Sequence, residues 1–106
     1  MNVTQISVFM ENRPGRLAYL LQIFSDAQVN LRALSVADSA DFGIARVIVD
    51  DVDAAIQAIH AAGMTAVTTE VLRAEIPDVP GGLAKAVIEP LADAGVNIQY
   101  SYAFSE

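Results

Sequence analysis

The sequence carries one junction twice. Asn12-Arg13-Pro14-Gly15 follows a strand-like run and opens an apolar stripe at Leu17, and Asp78-Val79-Pro80-Gly81 does the same before Leu83. Pro80 and Gly81 fall 66 residues after Pro14 and Gly15, whereas Asn97 falls 67 after Asn30. The chain is therefore expected to repeat one supersecondary unit, with an extra residue in the second copy's helix near Pro90. One added residue turns a helical stripe by about 100°. That spacing predicts a local bulge or kink near Glu89-Pro90 that restores the register.

The first copy reads in full. In residues 3–10, Ile6, Val8 and Met10 share one face while Val3 and Phe9 lie on the other, a strand with apolar groups on both sides. Leu17, Leu20, Leu21 and Phe24 then have the spacing of one buried helical stripe, and Gln28-Val29-Asn30 ends that helix. Residues 31–37 and 42–49 read as strands joined by the turn Asp38-Ser39-Ala40-Asp41. Asp50 or Asp51 caps a second helix, and Asp53 sits in its first turn, where the dipole favours an acid. Val52, Ile56 and Ile59 form its stripe, Gly63 is its C-cap, and residues 64–69 make a short strand. The order βαββαβ gives an α+β, ferredoxin-like unit: a four-stranded antiparallel sheet with helices on one face.

Residues 71–76 start again. A third stripe, Leu83, Val87, Leu91 and Ala94, ends at Gly95, and Val96-Asn97-Ile98 leads into a strand at 99–104. The domain reading is a complete unit at 1–70 and a partial second copy, βαβ, at 71–106. Its unfinished sheet exposes an edge, so either the chain is a truncated portion or another chain completes it.

Composition narrows the function classes. With 54% hydrophobic residues the 106-residue chain buries a real core. Its net charge of −7 weighs against nucleic acid, which needs Lys and Arg on its phosphates, and against anionic membranes. Absence of cysteine excludes disulfides and fits a reducing cytoplasm. The N-terminus has no basic segment before an apolar core, so no signal peptide is expected. No apolar run approaches the ~20 residues of a membrane helix. No nucleophile–base pair, metal triad or phosphate-binding loop is visible, and no cofactor is expected. His60, the single histidine, makes a poor metal site and suits the surface or a packing boundary. Asp50, Asp51 and Asp53 are explained by capping, since no EF-hand glycine spacing follows. Tyr100, Tyr102 and Phe104 alternate on one strand, either as a ligand wall or oligomer surface or, for at least two of them, as core of the second unit.

The junction has chemistry of its own. A helix N-terminus offers unpaired N–H groups and partial positive charge. Pro suits the first helical turn, and Gly lets a ligand or backbone approach closely. Asn12 both donates and accepts, and Asn30 is expected to emerge at the same end of the sheet. Together they suit a small zwitterion. Taken alone, these residues make an ordinary loop and cap. Repetition points further, because each copy can supply half of a site. Arg13 and Arg16 flank the loop; arginines so placed assist a carboxylate or, more often, are simply solvated.

MENRPGRL followed by VNLRAL resembles an ACT domain, the small amino-acid-sensing module, and is especially similar to the regulatory domain of D-3-phosphoglycerate dehydrogenase. VPGGL followed by AGVNIQYSYAF resembles the opening of a second ACT unit, as in tandem ACT-domain proteins without a catalytic domain. The likeness covers nearly the whole chain. It implies that an amino acid is held at a domain–domain interface by Asn12, Arg13, Pro14, Gly15 and Asn30 of the first unit. From the second unit come Pro80, Gly81, Asn97 and Asp78, the last standing where the family has asparagine. An aspartate there either pairs directly with a ligand ammonium, a bond of roughly 1.5–3 kcal/mol, or serves only as a turn residue.

The expected protein is thus a non-enzymatic regulator, with free amino acid between the loops at 11–15 and 77–82 and the two strand asparagines below. Apolar groups on both sheet faces favour a homodimer. Binding would shift the orientation or association of units and signal to a regulated enzyme or a transcription partner. The alternatives are a dimerisation module without ligand, and an acyl-phosphate hydrolase on the same plan, whose arginine-bearing glycine loop is not recognisable here.

Overall fold

Alternation in the first strand and 3.6-residue periodicity in the first two helices bring a single set of apolar side chains to one side of a sheet. The computed structural model describes residues 2–11, 13–38 and 42–102. Asn12, residues 39–41 of the expected hairpin turn, and Ala103 and Phe104 of the expected last strand lie outside the described residues. The chain divides into two compact units, one of residues 2–71 and one running from Leu72 onward.

The first unit contains β1 (Asn2–Glu11), α1 (Arg16–Asp26), β2 (Leu31–Asp38), β3 (Phe42–Val49), α2 (Val52–Ala61) and β4 (Thr65–Leu72). The strands form an antiparallel sheet in the order β2-β3-β1-β4, with both helices on one face. In β1 the residues Ile6, Val8 and Met10 are buried, and Ala45, Val47 and Val49 of β3 join them. Leu20 and Phe24 of α1 and Ala55 and Ile59 of α2 close the core from the helix side, flanked by half-buried Leu17, Leu21, Val52 and Ile56. Full burial of each larger side chain contributes about 1.5–3 kcal/mol. Thr4 Oγ1 donates to Glu70 Oε1 at 2.7 Å, tying β1 to β4.

The two candidate capping aspartates divide the work. Asp51 caps α2, its carboxylate accepting from Ala54 N at 3.1 Å. Asp50 instead accepts from Asn30 N at 2.9 Å, while its own amide donates to Asn30 O at 3.1 Å. Asp53 lies in the first turn of α2 and His60, exposed, in the last. Gly63, at φ 77°, follows the helix end.

In the second unit a π-helical segment, Ala84–Ile88, runs into a short α3, Glu89–Asp93. Glu89 N–H reaches back five residues to the Ala84 carbonyl, and Pro90 follows without an N–H to continue the pattern. The wider turn absorbs the extra residue. Beyond it, Ala94, Gly95 and Val96 donate to Pro90, Ala92 and Leu91, as Ala27, Gln28 and Val29 donate to Ile23, Ser25 and Phe24 after α1.

Three expectations for this unit are corrected. The strand expected at 71–76 does not form: Val71 and Leu72 finish β4, and residues 73–77 are irregular. Residues 99–102 are not a strand either. Strand backbone requires a hydrogen-bonding neighbour, and among the described residues these segments join no strand of the sheet. Of the third stripe, Val87 and Leu91 are half-buried, and Leu83 and Ala94 are exposed. Tyr100 is exposed and Tyr102 half-buried, so neither makes a fully buried core position.

Candidate functional site

The first corner is built by β1 running out at Glu11. Arg13 N donates to Glu11 O at 3.0 Å and Arg16 N to Arg13 O at 3.4 Å. Gly15 precedes α1 at φ 87°, a left-handed conformation that disfavours any side chain, and its carbonyl accepts from Tyr19 N at 2.9 Å. Arg13, Pro14 and Gly15 are all exposed. Arg13 pairs with Glu11 at 3.1 Å, a solvated pair worth about 0–1 kcal/mol. Arg16 lies with its guanidinium 5.1 Å from the centroid of the Tyr19 ring, and its Nε is buried without a hydrogen-bond partner.

The second corner repeats the backbone and changes the chemistry. Gly82 N donates to Val79 O at 2.9 Å, and Lys85 N to Gly81 O at 3.0 Å, with Gly81 at φ 79°. Gly82 is compressed: a Cβ there would collide with the Pro77 carbonyl oxygen and lie 3.3 Å from its carbon. The loop and the first helical turn border a shallow concavity of about 320 Å³, open to solvent and lined by Pro77, Val79, Pro80, Gly81, Gly82, Lys85 and Ala86. Asp78 is exposed and lies outside that lining.

Asn30 and Asn97 are exposed as well. Asn30 is fixed through its backbone to Asp50, leaving the amide side chain outward in exposure. Its position, however, corrects the expectation that it shares an end of the sheet with the first corner. Glu11 is level with Phe42, while Leu31 is level with Val49. Helix α1 carries the chain back along the sheet, so β2 starts at the far end. Seven strand steps separate the two levels, about 23 Å at 3.3 Å per residue. No free amino acid spans that distance within one unit.

The structure therefore gathers Pro80 and Gly81 at one concavity and keeps Asn30 away from Arg13, Pro14 and Gly15. Sequence reasoning placed the ligand at the loop 77–82 without singling out Pro77, Val79 or Gly82, and it missed Lys85 and Ala86 beyond that loop. Lys85 had a signal: it stands four residues after Gly81, one turn into the helix and on the same side. Among the described residues no three metal-ligating side chains cluster, and no helix is long and apolar enough to cross a membrane.

Comparison with known proteins agrees with this architecture. The family model described as an ACT domain pair matches residues 1–105. The structure of protein BT0572 from Bacteroides thetaiotaomicron is similar at TM-score 0.93 and 40% identity, over 100% of this chain and 73% of that one. The ligand-free regulatory subunit of aspartate kinase from Thermus thermophilus matches at TM-score 0.65 and 16% identity, over 95% and 76% of the two chains. A putative glycine cleavage system transcriptional repressor matches at TM-score 0.50 and 12% identity, over 90% and 68%. At such identities the last two share the fold alone. No curated protein matches the chain. The chain belongs to the ACT domain pair family, whose members are typically ligand-binding regulatory modules.

Proposed function

We propose that this protein is a non-catalytic, cytoplasmic regulator that binds a small free amino acid at an interface between ACT units. The domain reading behind it is an ACT-like unit at 1–70 and a partial second unit at 71–106. The observation that carries it is the duplicated corner, in which two loops of different sequence share two backbone hydrogen bonds, position 16/82 to 13/79 and 19/85 to 15/81, and a left-handed glycine. A glycine turn maintained across different side chains fits a role for the backbone itself, as a cradle for a carboxylate.

Asn12, Arg13, Pro14, Gly15 and Asn30 are the proposed contributions of the first unit, and Asp78, Pro80, Gly81 and Asn97 those of the second. Because the first corner and Asn30 lie at opposite ends of the sheet, a ligand touching both takes them from different units. Binding then links units, and a change in their association is the proposed signal to a regulated enzyme or transcription partner. The test is titration calorimetry with each of the twenty amino acids, beside the solution mass with and without the binder. Heat from at least one amino acid supports the reading; heat from none refutes it.

One observation favours a dimerisation module that binds no ligand. Leu34 and Val36, on edge strand β2, are 40% and 49% exposed, an apolar edge suited to a second copy. A homodimer is part of both readings; only the ligand separates them.

A further inference from the structure

The two corners match in backbone but not in what fills them. Position 16 corresponds to 82 and position 19 to 85 at the same offset of 66. In the first corner those places hold Arg16 and Tyr19, stacked on one another. In the second they hold Gly82, where no side chain fits, and Lys85, which lines the concavity. The first corner thus spends these positions on a side-chain stack, and the second leaves them open.

The concavity has a distinct chemical character. Its walls are Pro77, Val79, Pro80 and Ala86, with glycine backbone between them, and Lys85 is its single charged lining residue. Among the described residues the Lys85 side chain has no ion-pair partner, whereas Arg13 at the first corner is engaged by Glu11. At about 320 Å³ it lies at the small end of ligand sites, a shallow cleft with room for one amino acid.

We infer that the second corner takes an amino acid with an apolar side chain, whose carboxylate pairs with Lys85 and whose side chain rests on the Pro77, Val79, Pro80 and Ala86 walls. This rests on the amino-acid reading above and deepens it by naming the ligand class and a specificity residue. The ligand ammonium faces the open side. Gly82 keeps the loop tight enough for the carboxylate to meet the lysine.

The experiment is titration calorimetry on the full chain with leucine, valine, phenylalanine, serine, glycine, aspartate and leucinamide, for wild type, Lys85→Met and Lys85→Arg. Leucine, valine or phenylalanine should bind roughly 10-fold or more tightly than serine. Lys85→Met should weaken leucine by at least roughly 10-fold, and Lys85→Arg by less than about 3-fold. Leucinamide, which lacks the carboxylate, should bind wild type and Lys85→Met equally weakly. Lys85 is exposed, so these variants fold.

Leucine binding by Lys85→Met within about 2-fold of wild type would overturn the lysine's role and leave the amino-acid reading standing. Tighter binding of serine, glycine or aspartate than of leucine would overturn the apolar class. Absence of binding by every amino acid would remove the parent reading, and this inference with it.

Discussion

Gly15 and Gly81 hold the same left-handed backbone, φ 87° and 79°, and each carbonyl accepts from the amide four residues later, Tyr19 at 2.9 Å and Lys85 at 3.0 Å. The turn before each helix is closed in the same way, Arg16 to Arg13 and Gly82 to Val79. Duplication in this chain thus preserves the glycine turn that opens each helix, while the residues around it differ.

Gly15→Ala tests the cost of that conformation. No atom lies within 4 Å of an added Cβ, so the loss is conformational alone. It should lower stability by roughly 1–2 kcal/mol, read as a shift in the urea midpoint at constant slope. An unchanged midpoint would show that the corner does not need its left-handed residue.

Gly82→Ala acts by collision instead, because its Cβ meets the Pro77 carbonyl. The loop must open to admit the methyl group. Faster limited proteolysis between residues 73 and 82 than in wild type is the expected outcome, and equal rates would contradict the crowding.

Gln28 stands at φ 59° where the other two helix ends of this type carry Gly63 and Gly95. Gln28 N donates to Ser25 O and Val29 N to Phe24 O, the bonds of a left-handed C-terminal cap. Gln28→Gly relieves the strain and loses part of the gain to a more flexible unfolded chain. A net stabilisation of about 0.5–1 kcal/mol by urea unfolding is expected.

Asp50 and Asp51 make separate contributions. Asp51→Ala removes the cap of α2 and should cost about 1 kcal/mol. Asp50→Ala removes the acceptor for Asn30 N and should cost a similar ~1 kcal/mol while leaving the α2 amides protected from exchange. Loss of α2 protection in the Asp50 variant would contradict that division.

Much of the fold was legible because it rests on periodicity. Ile6, Val8, Met10, Leu20, Phe24 and Ile59 are buried as their spacing implies. The change of offset from 66 to 67 announced a bulge, and the five-residue bond from Glu89 to Ala84 supplies it one step before the expected Glu89-Pro90. Asn30 was misplaced because nearness in sequence was taken for nearness in space, although a helix between two parallel strands always returns the chain to the starting end. The second unit's strands were illegible for another reason: apolar alternation marks a strand only where a neighbour is present to pair with it. Lys85 escaped notice because its counterpart, Tyr19, is not an obvious ligand group.

In the proposed function the paired corners hold a small amino acid. Titration calorimetry of wild type, Asn12→Ala and Asp78→Ala with the amino acid that binds, run beside thermal unfolding, tests it most directly. Binding should be weakened ~10- to 100-fold in each variant, about 1.4–2.7 kcal/mol, at an unchanged melting temperature. No heat from any amino acid with wild type, or equal loss of fold and binding in the variants, would contradict it.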